Sequence, residues 1–69
     1  MKIKRKKRLI CKKDGLSGTD KGDSFIIKEI LYMEEYGIKI SNNFRKDVFL
    51  INSETLHEYF KEDKLYEKK

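Results

Sequence analysis

The sequence predicts a mainly β fold in one small domain, with a short helix near its C-terminal end. Three observations carry this reading. Most of the aliphatic residues fall between Phe25 and Ile51, in three short runs separated by turn residues. Those runs are rich in Ile, Val, Phe and Tyr, which suit a pleated and half-buried surface. After Asn52 apolar residues recur at helical spacing without that β-branched content.

Length and composition narrow the possibilities. A chain of 69 residues is one domain and buries only about 60% of its unfolded surface, so its stability is expected to be modest. The single cysteine, Cys11, excludes an internal disulfide, and one His with one Cys cannot build a zinc site. No cofactor or metal is expected. A lone cysteine suits a reducing cytoplasm, and no run resembles a signal peptide or a membrane span. Charged residues make up 42% of the chain, but the 38% that is hydrophobic clusters centrally, and there is no proline. An ordered centre is therefore expected, with 1–6 a flexible basic arm and 62–69 a flexible tail.

The net charge of +5 is unevenly placed. Residues 1–13 hold eight bases and no acid, whereas the remainder holds nine bases and twelve acids. The chain is thus a slightly acidic body carrying a basic strand.

That strand is expected over about 7–13, with Leu9 and Cys11 inward and Arg8, Ile10 and Lys12 outward. Asp14 to Ser24 holds three of the four glycines and reads as a loop, with Leu16 tucked against the core. Its acids lack calcium-loop spacing and its glycines lack the Gly-Lys-Ser/Thr of a phosphate loop. Phe25 to Met33 reads as a strand. Phe25 and Ile27 share one parity, and Ile30 and Tyr32 share the other, so a bulge or bend is expected at Lys28-Glu29. Helical spacing of Ile26, Ile27, Ile30, Leu31 and Glu34 competes, but the β-branched content and the turn at Gly37 favour a strand. Glu34 to Gly37 forms a turn, Ile38 and Ile40 a short strand, and Ser41-Asn42-Asn43 the next turn, with an Asn left-handed. A strand from about Asp47 to Ile51 is nearly all apolar, which implies burial on both faces or a face used by a partner. Asn52 or Ser53 caps a helix over about 54–61, Glu54 favours its dipole, and Leu56, Tyr59 and Phe60 form its apolar stripe. Helical structure could fray on toward Tyr66, and Lys61 to Lys69 is expected to be solvated.

A strand ending Leu9-Ile10-Cys11, a Gly-rich loop and Lys21-Gly22-Asp23-x-Phe25-x-Ile27-x-x-Ile30 come first. A turn, a short strand and a last strand running into Leu56-x-x-Tyr59-Phe60 follow. This order resembles the small Src-homology-3-like β-barrels, in particular short barrel proteins of phages and mobile elements of low-GC bacteria. Cys11, Lys21, Gly22, Phe25, Ile27, Ile30, Phe49, Leu56 and Phe60 carry the resemblance across roughly residues 8–60. It implies an antiparallel barrel of about four to five strands with a short C-terminal helix. The Gly or Trp usual before the last strand is replaced by Arg45-Lys46-Asp47, so the peptide groove of signalling domains is not carried over. Such barrels serve as protein- or nucleic-acid-binding modules, and some small phage barrels inhibit host defences.

The residues themselves argue against catalysis. His57 lies off the apolar stripe without an orienting partner, and Cys11 sits on the inward parity. Asp20 and Asp23 lie in a loop that positions them poorly. The expected function is therefore a non-catalytic binding module docking onto a larger bacterial protein or ribonucleoprotein, with an anti-CRISPR or other anti-defence inhibitor as one concrete form. The alternative is binding of DNA or RNA through Lys2, Lys4, Arg5, Lys6, Lys7, Arg8, Lys12 and Lys13, with Tyr32, Tyr36, Phe44 and Tyr59 as aromatic contacts. Weak self-association through an open sheet edge is a third possibility.

Overall fold

The computed structural model describes residues 3–31 and 37–64. Alternation sets the first strand, β1 (Arg8–Cys11): Leu9 and Cys11 are buried, Arg8 and Ile10 half-buried. The loop after it folds back, with Leu16 packed on the core. Gly22 N–H donates to the Cys11 carbonyl at 2.8 Å and Cys11 N–H to the Asp23 carbonyl at 2.9 Å, leading the chain into β2 (Ser24–Ile30). Next come β3 (Ile38–Asn42), β4 (Val48–Ile51), α1 (Ser53–Tyr59) and β5 (Phe60–Glu62).

The strands form one five-stranded antiparallel sheet in the order β4-β3-β2-β1-β5. It is an open sheet, so β4 and β5 are its edges. The inner face of the sheet and α1 enclose Leu9, Cys11, Phe25, Ile27, Ile38, Ile40, Ile51, Leu56 and Phe60. Phe25 centres this core. Its ring meets Phe60 at 5.1 Å and Phe49 at 6.0 Å, both edge-on, the arrangement that aromatic quadrupoles favour.

The expected bend in β2 is present. The register with β3 shifts between Ile27 and Glu29, so Ile27 faces Ile40, Glu29 faces Lys39, and Lys28 is the extra residue of a bulge. Beyond it Ile30 faces Ile38, as the change of parity requires, but Ile30 is 46% exposed. It is the last residue of β2 and is not among the side chains packed on the core.

Four expectations are corrected. Ser41-Asn42-Asn43 is not the turn: β3 continues through Asn42, which is buried. Its Oδ1 accepts from Phe44 N–H at 2.8 Å and Arg45 N–H at 2.9 Å, so the side chain shapes the turn from within the strand. The left-handed residue is Lys46 (φ 66°), not an asparagine. β4 is not buried on both faces: Phe49 and Ile51 point inward, while Val48 and Leu50 are 57% and 51% exposed on an uncovered face. Finally, α1 stops at Tyr59, and Phe60 to Glu62 is a strand pairing with β1 rather than helix and solvated tail. Phe60 satisfies the spacing from Leu56 and also the inward position of a strand too short to show alternation. The cap is as read: Asn52 Oδ1 accepts from Thr55 N–H at 2.7 Å, and Glu54 lies in the first turn. The Glu34-Glu35 turn, the end of the expected strand at Met33 and any helix toward Tyr66 lie outside the described residues.

Candidate functional site

The basic segment before β1 is laid against β2. Ile3 packs on the core, and Lys7 N–H donates to the Lys4 carbonyl at 3.2 Å, closing a turn over Arg5 and Lys6. Lys6 takes φ 73°, as the third residue of a type II turn requires, although lysine rarely adopts it. Lys6 N–H donates to the Ile27 carbonyl at 2.7 Å and Ile27 N–H to the Lys7 carbonyl at 2.9 Å. These bonds extend the pairing beyond β1 and hold the turn beside the β2 bulge.

The result is a cleft of about 560 Å³ lined by Arg5, Lys6, Arg8 and Lys28, with Ile26 and Ile27 as its apolar part. No acid is among its described lining residues. Two neighbouring carboxylates are engaged elsewhere: Glu29 faces Lys39 at 3.4 Å, and Glu62 accepts from Lys7 Nζ. A second concavity, about 680 Å³, lies by β5, where Lys12, Lys61 and Lys64 share the lining with Glu62 and Asp63. Ile10, facing Lys61 across the β1–β5 pairing, is part of it.

The predicted basic residues thus divide. Arg5, Lys6 and Arg8 meet in the first cleft, Lys12 belongs to the second, and Lys4 is exposed. Lys13 is held by Glu58 at 3.0 Å and lies 4.9 Å above the Tyr59 ring. Lys7 has a different role: it is only 7% exposed and its ammonium joins β1 to β5 through Glu62. That hydrogen bond, and then the charges of Lys7 and Lys64, hold the Glu62 carboxyl below its ordinary range, against the opposing effect of burial. Lys2, Tyr32 and Tyr36 lie outside the described residues. Of the remaining aromatics, Phe44 is 89% exposed, whereas Tyr59 packs against the core and under Lys13.

Sequence reasoning missed Lys28 as a surface group and left Val48 and Leu50 between burial on both faces and a face used by a partner. The parity change at Lys28 was the available signal for the first, since a bulged residue is freed from pairing. For β4 the signal was ambiguous, because an uninterrupted apolar run does not say which face is covered.

None of the acids of the Gly-rich loop belongs to the cleft lining. Asp14 Oδ1 accepts from Lys21 N–H at 2.9 Å, and Asp23 Oδ2 accepts from Asp20 N–H at 3.1 Å and Arg45 Nη2 at 3.0 Å, so these acids shape their own loop. Cys11 is buried with its Sγ 3.2 Å from the Lys13 carbonyl, and His57 is exposed on α1. Among the described residues no group of three or more His, Cys, Asp or Glu could hold a metal ion, and no helix is long and apolar enough to cross a membrane. The chain matches no protein-family model, and comparison with curated proteins and solved structures finds no significant match.

Proposed function

We propose that this chain is a small non-catalytic binding module that docks onto a larger bacterial protein through the outer side of β4. The observation that carries this is the pair Val48 and Leu50, both more than half exposed on an edge strand, with Phe44 exposed on the turn leading into it. Small monomers seldom leave several large apolar side chains near one sheet edge without a use for them. A phage or mobile-element inhibitor of a host defence system, such as an anti-CRISPR acting in the host cytoplasm, is the concrete form proposed. The Src-homology-3-like likeness is part of this proposal. It is supported by the β2–β3–β4 meander, the bend at Lys28, and β5 returning to β1 after a short helix.

Affinity capture from nuclease-treated host lysate tests the reading. The wild-type chain is expected to retain one protein in stoichiometric amount, and Val48→Glu with Leu50→Glu is expected to lose it while remaining folded. Equal retention by the variant, or none by either, contradicts the docking surface.

A second reading is nucleic-acid binding through the basic strand. The cleft lined by Arg5, Lys6, Arg8 and Lys28, with no acid among its described lining residues, specifically favours it.

A further inference from the structure

We infer that the cleft beside the β2 bulge receives the phosphodiester backbone of a single-stranded nucleic acid, with Lys28 as the contact that the fold adds to the basic strand. The inference rests on the second reading above and assigns its site. Three elements converge there. The turn over Arg5 and Lys6 is fixed by the Lys6–Ile27 and Lys7–Ile27 backbone bonds. Arg8 comes from the first residue of β1, opposite Ile26. Lys28 comes from the bulge, where a residue inside β2 escapes pairing with β3. Four cations from two separated segments thus line one concavity.

The chemistry of the lining selects the ligand. Cations with no acid among the described lining residues suit a polyanion, and the half-buried Ile26 offers an apolar surface against which a sugar or base can rest. The shape selects a single strand. A cleft of about 560 Å³ is in the size range of small-ligand pockets and admits a flexible backbone. A duplex groove is instead entered by a protruding helix or ribbon, and α1 has seven residues with its Leu56 buried in the core. Glu62 is occupied by Lys7, and Asp63, whose N–H donates to the Arg8 carbonyl at 3.0 Å, is not among the residues lining the cleft.

Fluorescence anisotropy with a labelled oligothymidylate in a salt titration tests this on the full chain. Each phosphate neutralised on a single strand contributes about −0.7 to the slope of log K against log salt, so contacts from Arg5, Lys6 and Lys28 predict a slope of about −2. Lys28→Ala is expected to weaken binding about five-fold at low salt and to flatten the slope by about 0.7, with Lys28→Arg restoring both. Lys21→Ala, an equal loss of charge in the Gly-rich loop, is expected to change neither. No binding at low salt overturns both the reading and the site. Binding that Lys28→Ala and Lys21→Ala weaken equally overturns the site and leaves the reading standing. Tighter binding of a duplex overturns the choice of a single strand, and displacement by polyglutamate at equal charge overturns the phosphodiester.

Discussion

Gly18 shows how much one residue of the long loop carries. Its φ is +84°, and a Cβ there would stand 2.8 Å from the Phe49 ring, which in turn packs on Phe25. Gly22 shares the left-handed backbone (φ +95°) but faces open space. The two positions therefore separate backbone strain from overpacking. Gly22→Ala is expected to cost about 1 kcal/mol from the backbone alone. Gly18→Ala adds a clash within a packed aromatic cluster and is expected to cost about 2–3 kcal/mol, read as a lower urea midpoint. Equal losses would mean that Phe49 can move aside. Which glycine touches an aromatic ring was not legible in the sequence, because the contact joins residues 31 positions apart. The inward placement of Leu9, Cys11, Phe25 and Ile27 was legible, since alternation is a local property.

At the scale of elements, the pairing of β1 with β5 is the feature the sequence concealed. A three-residue strand has too few positions to display a period, and Phe60 completed a helical stripe equally well. The Lys7–Glu62 pair ties these strands together, and its pH dependence follows from the sign of the shift. Glu62 is held below its ordinary value, so its contribution is present above the unfolded carboxyl range, near about 4.3, and is lost as pH falls through the lower folded value. Glu62→Gln is therefore expected to be less stable than wild type at neutral pH, with the difference closing as pH falls below about 4. Urea unfolding at a series of pH values checks this, and a difference unchanged by acid would contradict it. The bulge in β2 was legible because apolar parity switches across Lys28-Glu29. Its consequence was not, since only the folded turn over Arg5 and Lys6 brings other cations beside Lys28.

For the whole molecule, the charge asymmetry of the sequence becomes a spatial one. Cations gather beside β1 and the β2 bulge, while the exposed Val48 and Leu50 lie on β4 at the opposite edge of the sheet from β5. The two surfaces make separate predictions: substitutions at Val48 and Leu50 are expected to spare oligonucleotide binding, and Lys28→Ala to spare protein capture. The resemblance implied an antiparallel barrel without a strand order, and the order and openness of the sheet depend on pairings between distant segments that no local pattern encodes. Hydrogen exchange of the chain alone and in complex with its captured partner tests the central claim most directly. Docking through β4 predicts slowed exchange at Val48–Ile51 and at the preceding turn, with the Arg5–Arg8 segment unchanged. Protection confined to Arg5–Arg8 and Lys28, with β4 exchanging as in the free chain, would contradict it.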